Sequence, residues 1–70
     1  MTEQEIRDAL KWLSRNKRRT HYALTAAKNK PNVTADEINN LKNSAEIIDN
    51  LIALVIVILT KLEAKNGEHN

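Results

Sequence analysis

The run Leu51–Leu59 reads Leu-Ile-Ala-Leu-Val-Ile-Val-Ile-Leu, with no polar atom on any side chain. It lies inside a segment with strong helix signals, so it forms a helix that is apolar on every side. Such a helix must be covered on every side. A chain of 70 residues with one other helix can cover it on one side only. The constraint therefore falls on quaternary structure, and the sequence predicts an obligate homo-oligomer. The β-branched stretch Val55-Ile56-Val57-Ile58 also suits a strand, but no second strand-like run exists to pair with it.

Size supports this reading. A chain this short makes one domain, and such domains seldom build a core worth more than about 3–5 kcal/mol without staples or assembly. Cysteine is absent, which excludes disulfides and thiolate metal sites. No basic start followed by an apolar stretch marks a signal peptide. Leu51–Leu59 falls far short of the roughly 20 apolar residues that a membrane span needs. A cytoplasmic protein is the default expectation. Asn, Lys and Ile are abundant, which fits an AT-rich bacterial or phage genome.

Two helix starts use the same device. Thr2-Glu3-Gln4-Glu5 fits a capping box, with Met1 and Ile6 as a hydrophobic staple around it. Thr34-Ala35-Asp36-Glu37 repeats it, with Val33 and Ile38 as the staple. Pro31 disfavours helical geometry at Lys30 and stops the first helix there. Gly67 is a natural residue to follow a helix end, with Lys61 and Lys65 near the negative end of the dipole. The chain is thus a single helical-hairpin domain over 1–70. Its first helix covers about 3–29, its turn 30–33, its second helix about 35–66 and its frayed tail 67–70. A break near Ser14-Arg15-Asn16 would make three helices instead.

Helix periodicity assigns the faces. Leu41, Ala45, Ile48, Ile52, Val55, Leu59 and Leu62 alternate steps of four and three, an unbroken heptad seam. Ile47, Leu51, Leu54 and Ile58 form a second seam beside it. On the first helix Ile6, Ala9, Leu10, Trp12, Leu13, Ala23, Leu24 and Ala27 share one side. An antiparallel hairpin places Leu10 and Leu13 near the level of Ile52 and Val55 and consumes one seam. The other is left for another copy. The interface expected between copies comprises Trp12, Ile47, Leu51, Leu54, Val55 and Ile58. Four or five such side chains, at about 1.5–3 kcal/mol each, contribute on the order of 10 kcal/mol per protomer. That rivals the stability of a whole domain. The expected fold is all-α: antiparallel two-helix hairpins assembling into a homo-oligomeric helical bundle, most simply a four-helix bundle of two copies.

Catalytic signals are close to absent. His21 and His69 are the histidines, and the latter falls in the expected tail. No HExxH, Gly-rich phosphate loop or cysteine nucleophile occurs. Glu46 and Asp49, spaced i,i+3, read better as a solvated helix face than as a catalytic pair. The expectation is a non-enzyme without cofactor or metal.

The functional candidate is the basic stretch Arg15-Asn16-Lys17-Arg18-Arg19-Thr20-His21-Tyr22. Net charge is only +2, yet the cations concentrate in the first half of the chain. Arg7, Lys11, Arg15, Arg18 and Tyr22 form an outward stripe that suits phosphate oxygens and a stacked base. The bland alternative is a solvated charged face. Lys17, Thr20 and, at its border, His21 fall on the inward side, level with Asn43, Ser44 and Glu46. That is either a register-setting polar layer with a Lys17–Glu46 pair, or a pocket between protomers for a small anion. The expected ligand-binding set is Arg15, Lys17, Arg18, Arg19, Thr20, His21 and Tyr22. It would sequester a phosphate-bearing ligand such as a nucleotide signal, as a phage or mobile-element accessory protein. The rival readings are an inhibitor or adaptor docking its basic helix on an acidic host protein, and a small nucleic-acid-binding accessory protein. No motif here is specific enough to carry a family resemblance.

Overall fold

The computed structural model describes residues 1–68. The chain forms α1 (Glu3–Lys28) and α2 (Ala35–Glu68), packed against each other as a hairpin. No strand occurs among the described residues.

Both helices start as the caps dictate. The Glu5 amide donates to Thr2 Oγ1 at 3.1 Å, and the Thr2 amide donates to Glu5 Oε1 at 3.0 Å. Two amides that the helix leaves orphaned are thereby satisfied. At α2 the Glu37 amide donates to Thr34 Oγ1 at 3.2 Å, the forward half of the second box. Between the helices, the Asn29 amide donates to Ala26 O and the Lys30 amide to Ala27 O, at 3.2 and 3.1 Å. These tighter bonds end α1 one turn before Pro31.

α1 does not break at Ser14-Arg15-Asn16. It is continuous there, and Asn16 Nδ2 donates to Trp12 O at 2.9 Å within the helix. A second departure concerns Gly67. Expected beyond the helix end, it lies inside α2, and no described glycine has positive φ. The helical pattern needs no left-handed residue where the chain continues helically, so residues 67 and 68 of the expected tail are helical. His69 lies outside the described residues.

The first seam packs as its spacing requires. Ala45 and Leu59 are buried, and Leu41, Ile48, Ile52, Val55 and Leu62 are half-buried. Ile6, Leu13 and Ala27 of α1 are buried against them. Val55, expected between copies, belongs to this seam, because its steps from Ile52 and Leu59 are three and four. The register runs further than the sequence suggested. Arg7 pairs with Glu63, and both Lys17 and His21 reach Asp49. The shift arises at the turn. Residues 29–34 carry the chain beyond the end of α1 before it reverses, so α2 starts past that level. Every opposition then moves about a turn towards the C-terminus.

The second seam is only partly covered. Ile47 is 59% exposed and Leu54 56%, with Leu51 and Ile58 also exposed. No side chain among the described residues is fully buried. The hairpin measures 58 × 16 × 14 Å and exposes 5622 Å². A compact monomeric protein of 8.0 kDa exposes roughly 4,500 Å². The surplus follows from the elongated shape, and the second seam is part of it. These side chains are already about half covered, so burying the remainder contributes on the order of 5 kcal/mol per protomer. Among the described residues no helix is long and apolar enough to cross a membrane.

Two substitutions test this description. Thr34→Ala should lower stability by about 1 kcal/mol in urea unfolding. Gly67→Ala should leave stability unchanged or raise it by up to about 1 kcal/mol, because the residue is helical. A Cβ there meets nothing within 4 Å. A left-handed cap at Gly67 would give the opposite sign.

Candidate functional site

The cations of α1 recur at helical spacing. Arg7, Lys11, Arg15 and Arg18 follow one another by four, four and three residues, so one side of the helix carries them all. Gln4 and Ser14 fall on the same side by the same rule. These residues line an open groove of about 660 Å³, completed by Leu10 and by Leu59 of α2. Its wall is cationic, with one amide and one hydroxyl among the cations. Its apolar part comes from the two leucines, one from each helix.

The groove cations differ in their commitments. Arg7 Nη2 donates to Glu3 Oε1 at 2.8 Å and to Glu63 Oε1 at 2.7 Å. Asn66 Nδ2 donates to Glu3 Oε2 at 3.0 Å, closing a network across the open end of the hairpin. The hydrogen bond to Glu3 raises the Arg7 pKa above its ordinary value; partial desolvation opposes this, and the Glu63 charge adds to it. Arg7 is therefore partly committed to holding the helices together. Lys11, Arg15 and Arg18 make no ion pair among the described residues. Their donors face solvent and the groove.

The remaining expected ligand residues are dispersed. Lys17 Nζ lies 3.5 Å from Asp49 Oδ1, and His21 Nε2 lies 3.4 Å from the same oxygen. The expected Lys17–Glu46 pair is thus replaced by Lys17–Asp49, the consequence of the shifted register. Thr20 is half-buried. Arg19 is exposed and does not line the groove, being turned about 100° from Arg18. Tyr22 is 79% exposed. It lines a second groove near the turn, of about 550 Å³, with Ala23, Ala26, Ala27, Lys30, Val33, Glu37, Asn40 and Leu41. The structure therefore gathers Arg15 and Arg18 with Arg7 and Lys11, and it does not bring Lys17, Arg19, Thr20, His21 and Tyr22 to that place.

Sequence reasoning missed Gln4, Ser14, Leu10 and Leu59 as groove residues. The helical spacing of Gln4 and Ser14 from Arg7 and Lys11 was a usable signal. Leu59 had none, since its place opposite Leu10 depends on the register. Among the described residues no group of three or more His, Asp or Glu side chains is placed to hold a metal ion.

Compared with protein-family models, curated proteins and solved structures, the chain matches none of them.

The Asp49 pairs make a measurable point. All three side chains are more than 40% exposed, so the pairs are solvated and weak. Asp49→Asn should cost less than about 1 kcal/mol in thermal or urea unfolding. A larger loss would make Asp49 a structural anchor.

Proposed function

We propose that this protein is a non-enzymatic, homo-oligomeric binding protein that sequesters a small phosphate-bearing ligand, such as a nucleotide signal. An accessory role in a phage or mobile element suits a protein of this kind. One observation carries the reading: Lys11, Arg15 and Arg18, free of ion pairs among the described residues, converge beside Leu10 and Leu59 in one groove. Guanidinium forks meet phosphate oxygens through paired, charge-assisted hydrogen bonds. The apolar patch beside them offers a place for the flat or aliphatic part of the same ligand. Self-association is supported by the exposed seam of Ile47, Leu51, Leu54 and Ile58.

The dimensions favour a short ligand over a nucleic-acid track. Lys11 to Arg18 spans about 10 Å of helix. Along that length one strand of duplex DNA presents roughly three phosphates. Neutralising three phosphates gives a logarithmic salt slope of about −2.7, far shallower than that of a protein making many contacts. A net charge of +2 adds little long-range attraction.

The test replaces Arg15 and Arg18 with Gln. Retention on a nucleotide matrix, and binding of short cyclic and linear oligonucleotides at two salt concentrations, should fall at least tenfold while helicity is unchanged. Undiminished binding by the double variant would remove the groove from the site. A salt slope much steeper than −3 would favour a nucleic-acid track instead. If the parent protein bound none of these probes, an acidic protein surface would become the better partner for the basic helix.

A further inference from the structure

The two sides of the hairpin differ in kind. Arg7 and His21 reach Glu63 and Asp49 across one side, which also holds the basic groove. The other side is fixed by the second groove, where Ala23 of α1 and Asn40 of α2 line the same space. Trp12 precedes Ala23 by three helical turns and is in line with it. Ile47, Leu51, Leu54 and Ile58 follow Asn40 in steps of seven, four, three and four and are in line with it. Trp12, 60% exposed, and the exposed seam therefore share one broad apolar face, turned away from the groove cations and bordered by Arg19 and Lys30.

We propose that two copies of this hairpin pair antiparallel through that face, forming a two-fold symmetric four-helix bundle with its basic grooves on opposite outer surfaces. The inference rests on the self-association proposed above and specifies its partner, orientation and consequence. Three observations support it. The first is area. The chain exposes 5622 Å², roughly 1,100 Å² beyond the expectation for a compact monomer of its mass. A specific dimer needs about 800 Å² from each partner. The second is charge along the face. Asp36 lies in line with the seam at one end, and Lys61 and Lys65 flank it at the other. Antiparallel pairing brings the Asp36 end of one copy beside the lysine end of the second. Setting the two α2 seams parallel would bring Asp36 beside Asp36 and the lysines beside the lysines. The third is separation. The groove cations lie on the far side, so a second copy leaves Lys11, Arg15 and Arg18 in solvent; Arg19, one heptad from Trp12, is the cation that borders the pairing face and must keep its guanidinium at the rim. Each groove is then complete within one hairpin, and the ligand is not shared between protomers.

Antiparallel pairing about an axis between Leu51 and Leu54 sets Ile47 of one copy opposite Ile58 of the other. The chain has no native cysteine, so single thiols report on this directly. Ile47→Cys and Ile58→Cys proteins, refolded together and oxidised or treated with a short thiol cross-linker, should form a mixed dimer of twice 8.0 kDa. Neither variant should cross-link to itself. Sedimentation equilibrium of the unaltered chain at micromolar concentration should give the same doubled mass and serves where a variant folds poorly. Self-linking of Ile47→Cys would overturn the antiparallel arrangement. A mass of three or more copies would overturn the two-fold bundle. A monomer would overturn the proposal, whether or not it bound vesicles containing phosphatidylglycerol. The Arg15 and Arg18 substitutions read the groove separately, so a monomer that still loses nucleotide retention through them would fail this inference and leave the anion reading intact.

Discussion

Everything in this fold depends on how much of α2 a single neighbour can cover. Two packed helices bury one stripe of each. On α2 that stripe is the seam from Leu41 to Leu62, and α1 meets it with Ile6, Leu13 and Ala27. The small Ala27 and Ala45 are the buried residues nearer the turn, and the larger Ile6, Leu13 and Leu59 are those towards the open end. The result is a thin core without a fully enclosed side chain among the described residues. A core of that kind contributes little beyond the entropy it must overcome. The exposed seam is then the largest unrealised source of stability in the chain.

Polar interactions complement this packing and do not replace it. Arg7, Glu3, Glu63 and Asn66 tie the open end together. Asp49 takes Lys17 and His21 nearer the middle. These groups are solvated, and exposed pairs of this kind contribute about 0–1 kcal/mol each. Their value is positional. They lie on one side of the helix pair, beside exposed Ile56, and the seam of Ile47, Leu51, Leu54 and Ile58 lies on the other. Assembly and anion binding, as proposed, therefore use separate surfaces and do not compete.

The parts of the fold legible in the sequence are those set by local rules. Thr2 with Glu5 and Thr34 with Glu37 start helices because a short hydroxyl side chain meets an orphan amide wherever that spacing occurs. The seam from Leu41 to Leu62 is legible because its spacing matches the helix, and the exposed set Ile47, Leu51, Leu54 and Ile58 is legible for the same reason. Register was not legible. It depends on how far residues 29–34 carry the chain before reversal, and a change of one turn swaps Glu46 for Asp49 opposite Lys17. Gly67 misled because glycine marks a helix end only where the backbone turns left-handed. The basic stretch was legible as composition but not as a site. Successive residues diverge by about 100° around the helix, so Arg18 lines the basic groove, Arg19 does not, and Tyr22 lines another.

The groove would also tie the proposed ligand binding to folding. Leu10 comes from α1 and Leu59 from α2, so the apolar part exists only when the hairpin is closed. Arg7 lines the same groove and is held by Glu63 of α2. A phosphate-bearing ligand seated there would meet both helices and would bind the closed hairpin in preference to the open chain. By mass action it would stabilise the folded state by about 2.7 kcal/mol at a concentration one hundred times its dissociation constant. For a hairpin with so thin a core, that is a large share of its stability. Ligand and second copy would then act on the same equilibrium from opposite sides of the molecule. Each would favour the closed hairpin the other needs, without any contact between them.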